Sequence, residues 1–282
     1  MPRVPYVGVN NKAKKVKKMY IGVGDTAHKV LKAYVGVNGI ARIFYTADWW
    51  VPYGLSESNC IGAFQFYKAK SQSAANTDIT GKGHTIYDYR NGDWNANTGY
   101  YVSTKTSTAP SGLTAGGLES YVTAVYWYTG LGNGDHSRWF HTQGGGDCHF
   151  AARLGPVNCY NNGEWQTNEN YKNYPAFGLA YHPSGQNKFT GWRGNSALPS
   201  SGVVAVDRTK PQIYVNGNAI GVSTFSINAE TINNVPLATG GGSATFGGGS
   251  SLNTYFRAVA FFNCGLSPRQ HSDIAKAITE IK

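Results

Sequence analysis

Acidic residues are scarce in this chain. Fifteen Asp and Glu stand against 25 Lys and Arg, and charged residues make up 14% of 282 positions. No two acids lie two positions apart. The Glu-x-Asp-x-Glu spacing that sets a nucleophile and an acid on one face of a strand is therefore missing. The closest pairs beyond residue 58, Asp88 with Asp93 and Glu164 with Glu169, are five apart, and on a strand an odd spacing means opposite faces. No Gly-x-Ser-x-Gly elbow and no His-Glu-x-x-His motif occurs, which removes the common serine-hydrolase and zinc-protease signatures. The glycine triplets at 144–146, 240–242 and 247–249 lack the strand-then-helix setting of a phosphate loop. These gaps argue against an enzyme.

Cysteine is also sparse. Cys60, Cys148, Cys159 and Cys264 contain no Cys-x-x-Cys pair, so a structural zinc site is not expected. Cys60 and Cys264 sit in apolar, strand-like runs and are expected to be buried packing residues. Cys148 and Cys159 could remain thiols or close a loop in an oxidising medium. No apolar run approaches the ~20 residues that span a bilayer. The start, Met1-Pro-Arg-Val-Pro-Tyr6, lacks the apolar core of a signal peptide, so synthesis in the cytoplasm is expected.

What is present begins with a phrase written three times. Tyr6, Tyr20 and Tyr34 recur every 14 residues, and so do Gly8, Gly22 and Gly36, Val9, Val23 and Val37, and Ala13, Ala27 and Ala41. A fixed period marks a unit that buries little by itself and needs neighbours. The centres, Asn10-Asn11, Gly24-Asp25 and Asn38-Gly39, suit two-residue type I′ turns, so each copy is predicted to be a small β-hairpin. Residues 1–45 hold seven Lys and two Arg against the single acid Asp25, or +8 of the chain's +10. Nucleic-acid binding competes for these cations, but no stacking platform or recognition helix accompanies them. A solvated face with lysines guarding strand edges is the reading preferred. Tyr6, Val9, Tyr20, Val23, Tyr34 and Val37 are the expected assembly residues. A homo-oligomer, a trimer for example, would cover their faces.

Residues 46–57, with Trp49-Trp50-Val-Pro52, read as a linker. From residue 58 to 282 the pattern is many short strands with turn signals. They include Cys60–Tyr67, Thr85–Tyr89, Tyr121–Tyr128, Ser137–Thr142, Phe150–Leu154, Phe177–Tyr181, Val203–Asp207, Gln212–Val215, Asn218–Val222, Ala244–Phe246 and Tyr255–Phe262. Asn216-Gly217 reads as a hairpin turn. Ser267–Ile281 alone reads as helix, with Ser267 as N-cap, Pro268 first, and Ile274, Ala277, Ile278 and Ile281 on one face. The fold class expected is all-β: hairpin repeats, then a β-sandwich with one C-terminal helix.

Four segments carry a resemblance. Val203–Gly221 is similar to the late strand pair of laminin-G-like, concanavalin A-like lectin domains, and Phe256–Ile274 to their closing strand and helix. Asn76–His84 resembles their opening loop and Ala124–Tyr128 an early core strand. The resemblance implies a jelly-roll of two antiparallel sheets. The N-terminal Tyr-Val-Gly-Val-Asn-Gly phrase resembles hairpin repeats in structural proteins of tailed bacteriophages and prophages. Together they imply a virion appendage on tail, baseplate or fibre, made in the host cytoplasm, docked on other virion proteins and carrying a lectin-like head for bacterial surface glycan. A purely architectural decoration protein is the alternative, and a polysaccharide depolymerase a further one.

Glycan binding asks for exposed aromatic faces beside planar polar groups. Trp94, Trp165, and Trp192 with Arg193 lie in polar, Gly-containing surroundings and are the candidate binding residues. Trp127 and Trp139 lie in strand-like runs and are expected in the core. Relatives of this kind often hold calcium in loops; Asp135 and Asp147 are the candidate ligands, with solvated turn aspartates as the competing reading.

Overall fold

A computed structural model describes the chain outside residues 1–5, 10, 11, 17, 18, 31, 38, 47, 89–92, 103–112, 116, 117, 119, 120, 132–137, 146, 147, 155–158, 162, 163, 167–173, 182–187, 208, 209, 211, 228–243, 247–253 and 282. In several strands the description extends to the backbone alone. Two compact units result, Met1–Asn59 and Cys60–Lys282.

In the first unit each 14-residue phrase folds back on itself. Tyr6–Val9 pairs with Lys12–Lys15, Tyr20–Val23 with Thr26–Lys29, and Lys32–Val37 with Ile40–Thr46, all antiparallel. The last pairs before the loops are Val9–Lys12, Val23–Thr26 and Val37–Ile40, so every loop holds two residues. In the second hairpin Gly24 takes φ 57° and Asp25 does not share the positive φ. That is the type II′ pattern, not the expected type I′, because glycine occupies the first central position. Each hairpin is its own two-stranded sheet. Tyr20 and Ile21 are adjacent and thus on opposite faces, yet both are more than half exposed, at 54% and 58%. Val7, Val23, Tyr34, Val35 and Val37 are exposed as well. An isolated two-stranded hairpin is marginal in water.

The segment read as a linker is a packed turn. Trp50 is buried, its Nε1 donates to the Ser56 carbonyl at 3.0 Å, and Trp49 meets its ring edge-on at 5.9 Å. Pro52 is the second residue of a 3₁₀ turn, Val51–Tyr53, and Gly54 ends it at φ 81°.

The second unit is a jelly-roll β-sandwich: the strand pattern predicts the sandwich, and the resemblance implies the jelly-roll. Its first sheet runs Asn218–Ile220, Gln212–Val215, Ser201–Asp207, Thr123–Thr129, Thr254–Phe262, Gly99–Val102, Asp93–Asn95. Cys60–Gln65 completes it beside Ala258–Phe262. The second sheet runs Val222–Ile227, Lys188–Gly194, Pro175–Tyr181, Cys148–Leu154, Arg138–Gly145, Ala244–Phe246, Leu113–Ala115, Ile86–Asp88. Every pairing is antiparallel. A separate hairpin joins Cys159–Asn161 to Glu164–Gln166.

Period-two alternation selects the core. Ala124, Tyr126 and Tyr128 point inward from Thr123–Thr129, with Phe64, Tyr100, Val204, Val206, Ile213, Phe256 and Phe261 beside them and Ile86 from the opposite sheet. Each such large side chain contributes about 2–3 kcal/mol on burial. The inward hydroxyl of Tyr128 donates to the Pro199 carbonyl at 2.9 Å. Burial holds the phenols of Tyr126 and Tyr128 above their ordinary value of 10.0. The Asn216–Gly217 turn is the predicted hairpin, with positive φ at both residues (51° and 81°).

The C-terminal helix, Pro268–Thr279, begins as expected. Ser267 accepts from the Gln270 amide and the Gln270 side chain returns the bond, a capping box. Its apolar face, Ile274, Ala275, Ala277 and Ile278, is buried on the outer side of the first sheet, against Thr123–Thr129, Ser201–Asp207, Asn218–Ile220 and Thr254–Phe262. Val125, Val203, Ala205, Ala258, Ala260 and Phe262 are buried yet stand apart from the inter-sheet cluster. They form a second, smaller core under the helix. One helical turn was not expected: Gln72–Ala75, capped by Ser71 and tied to the Tyr100 hydroxyl by Gln72 at 3.0 Å.

Candidate functional site

The helix covers part of the outer face of the first sheet. Outside that part the same face carries aromatic rings and a cation. Alternation in Thr123–Thr129 turns Tyr126 and Tyr128 inward and Trp127 outward, where it is half-buried. Trp127 is thus not the core residue expected from its strand-like run. The opposite strand does the same: Phe256 points inward, Tyr255 and Arg257 outward. Tyr67 follows the strand Cys60–Gln65 and is held in place by backbone, its amide and that of Phe66 both donating to the Arg257 carbonyl at 2.9 Å.

These pieces converge. The rings of Tyr67 and Trp127 meet edge-to-face with centroids 5.4 Å apart. The Arg257 guanidinium carbon lies 4.5 Å from the Tyr67 centroid and 5.2 Å from that of Trp127, within cation–π range. Its Nε–H is buried without an acceptor, and no described carboxylate pairs with it. Lys68 brings its ammonium to 5.0 Å from the Tyr67 ring. To do so it adopts φ 60°, a left-handed conformation uncommon for a side chain like lysine, fixed by its amide's 2.7 Å bond to the Ala96 carbonyl. Tyr101 and Tyr255 pack together on the neighbouring strands with centroids 4.7 Å apart. All five aromatic and guanidinium groups keep partial solvent access, and Lys68 is exposed. The surface offers flat apolar faces next to in-plane N–H donors, the pairing that sugar rings and their polar substituents need.

The residues nominated from sequence fall elsewhere. Trp94 belongs to the strand Asp93–Asn95; it packs against the inter-sheet core and spends its indole N–H on the Phe66 carbonyl at 2.9 Å. Trp192 and Arg193 are in the strand Lys188–Gly194, not a loop, paired with Phe177 and Ala176. Trp165 is in the strand Glu164–Gln166, opposite Tyr160. The structure therefore does not gather Trp94, Trp165 and Trp192 on one element. The side chains of Tyr6, Val9, Trp139, Trp165, Trp192, Arg193, Cys148 and Cys159, and all of Asp135 and Asp147, lie outside the described residues. Among the described residues no three His, Cys, Asp or Glu side chains form a metal-binding group. Asp88 and Asp93, the close acid pair, belong to strands of different sheets.

The opening loop is organised by a buried carboxylate. Asp78 Oδ1 accepts from the amides of Ala63 (3.1 Å) and Thr80 (2.9 Å) and from the Thr80 hydroxyl (2.7 Å). Lys82 donates from Nζ to the Cys60 carbonyl at 2.6 Å. Burial, with Asp78 nearby, pushes the Cys60 thiol well above its ordinary value, so it is an inert packing group. Cys264, expected to be buried, is half-buried in the turn before the helix.

No protein-family model matches the chain. No curated protein matches it in sequence. Among solved structures it is similar to a crystallised receptor binding domain, with 9% identity and a TM-score of 0.50 over 82% of this chain and 53% of that one. It is also similar to the botulinum neurotoxin serotype D binding domain (12%, TM-score 0.47, 78% and 52%). A third similarity is to a Trypanosoma rangeli sialidase (9%, TM-score 0.47, 93% and 44%). The chain spans about half the length of each of these three structures. At such identities the first of these likenesses speaks for the all-β sandwich alone.

Proposed function

We propose that this chain is a structural protein of a tailed-phage particle, with a non-catalytic sandwich that binds glycan on the bacterial surface. The observation that carries the binding role is the guanidinium of Arg257, unpartnered among the described residues and set against Tyr67 and Trp127. A surface with no function beyond solubility would pair that cation or leave it fully in water. The hairpins supply attachment. Among the described side chains, Val7, Tyr20, Val23, Tyr34, Val35 and Val37 are exposed, as suits strands covered by other copies or by partner proteins. The phage assignment rests on the triplicated Tyr-Val-Gly-Val phrase joined to a lectin-like strand order.

The test is binding of the purified full chain to host cells and to a glycan array, beside Trp127→Ala. Binding that falls at least tenfold in the variant supports the reading. A folded chain that binds neither cells nor any glycan leaves decoration of the particle as the role. Release of reducing sugar from capsule would instead make it a depolymerase.

A further inference from the structure

We infer that the outer-face surface formed by Tyr67, Lys68, Trp127 and Arg257 binds an acidic sugar unit, a pyranose carrying a carboxylate. The inference rests on the glycan-binding reading and specifies its ligand class and place.

Three observations lead there. First, Arg257 has aromatic contacts but no anion. Ring faces stabilise the positive charge but supply no acceptor: the buried Nε–H has none among the described residues, and the side chain stays partly open to solvent, where an anion can meet the guanidinium. A carboxylate fits the planar fork of an arginine and supplies two acceptors at once. Second, Lys68 holds a left-handed backbone conformation that a lysine adopts at a cost, and the result is a second cation over the same Tyr67 ring. Both cations lie within cation–π range of one ring, and no described acid pairs with either. Third, aromatic rings share this side of the sheet: Tyr67 and Trp127 touch each other and Arg257, and Tyr101 and Tyr255 pair on adjacent strands. Aromatic faces take the C–H side of a pyranose while arginine and lysine take its carboxylate.

A nucleic acid would also stack and pair with arginine. Charge distribution argues against it at this place. Residues 1–45 carry +8 of the chain's +10, so the rest of the chain, 237 residues long, carries only +2. Phosphate tracking needs a run of cations. Two cations among aromatic rings match a single carboxylate on an otherwise uncharged ring.

The probe set is an array of uronic-acid oligosaccharides, each printed as the free carboxylate and as its methyl ester, with neutral oligosaccharides and oligothymidylate alongside. The ester pair tests the charge on unaltered protein. The full chain is expected to bind at least one acidic oligosaccharide, with esterification weakening it by about 10- to 100-fold. Arg257→Gln is expected to bind the acid no better than the ester. Arg257→Lys, which keeps charge but loses the fork, is expected to fall between. Trp127→Ala is expected to weaken acid and ester alike. Preference for neutral glycans that Arg257→Gln leaves unchanged overturns this inference while the glycan-binding reading stands. Binding to no oligosaccharide overturns both. Tighter binding of oligothymidylate, lost in Arg257→Gln, assigns the surface to nucleic acid and overturns the inference.

Discussion

Acidification charges a histidine that the fold keeps dry. His271 lies in the first turn of the C-terminal helix, 2% exposed, its ring stacked on Tyr214 with centroids 3.5 Å apart and planes 14° apart. Among the described residues neither ring nitrogen has a hydrogen-bond partner. Burial, with added repulsion from Lys210, lowers its pKa from 6.5 to about 4. The unfolded chain therefore takes up this proton near 6.5, and the folded chain waits until about 4. Between those values the unfolded state binds more protons, so stability falls as pH falls. The contribution is complete above 6.5 and gone below about 4. At ~1.4 kcal/mol per pKa unit the interval is worth about 3 kcal/mol, a sizeable share of a domain's stability. His271→Phe keeps an aromatic ring against Tyr214 and removes the proton. Urea midpoints followed by tryptophan fluorescence at pH 7.5, 6, 5 and 4 would compare the two chains, with every carboxylate common to both. Wild type is expected to lose about 3 kcal/mol more than the variant across that range. Superimposable pH profiles would refute the account of His271 as a buried neutral base.

Other outcomes follow from local geometry. Gly99 holds φ 95° and a Cβ there would collide with the Phe256 carbonyl oxygen, so Gly99→Ala is expected to cost at least ~2 kcal/mol in urea unfolding. Gly217, at φ 81°, would place a Cβ 2.6 Å from Ser272 Cα; Gly217→Ala should loosen the helix and speed amide exchange in Pro268–Thr279. Ser267→Ala removes the capping-box acceptor and should cost about 1 kcal/mol in the same unfolding assay. If the hairpins self-associate as proposed, replacing Val23 and Val37 by Lys should lower the sedimenting mass toward monomer with the sandwich's near-ultraviolet dichroism unchanged; an unaltered mass would assign their exposed faces to another role.

Much of the architecture was readable along the chain because it depends on neighbours in sequence. The 14-residue phrase and its small central pairs predict hairpins with two-residue loops, and the registers Val9–Lys12, Val23–Thr26 and Val37–Ile40 agree. Ser267, Pro268 and Gln270 write a helix start that needs no tertiary help. Strands built of Val, Tyr and Phe were legible too. Three short ones, Asp93–Asn95, Gly99–Val102 and Leu113–Ala115, were not: Gly99–Val102 and Leu113–Ala115 become extended by pairing with Thr254–Phe262 and Ala244–Phe246, remote in sequence, and Asp93–Asn95 by pairing in turn with Gly99–Val102.

The candidate site shows the other half. Alternation tells that Trp127 faces away from Tyr126 and Tyr128, but not which side of the strand is covered. In a sheet coated by helix across its whole outer face, Trp127 would be core, as its apolar setting suggested. Here a helix of twelve residues shields only part of that face, and what lies beyond it stays half open to solvent. Tyr67, Trp127 and Arg257 come from three chain-distant segments and meet because their strands lie side by side in one sheet. Local chemistry determined the hairpins, the cap and the inward aromatic residues; the choice of which ring reaches water was made by the packing of helix on sheet, since burial depends on what lies across space and not on what lies next in the chain.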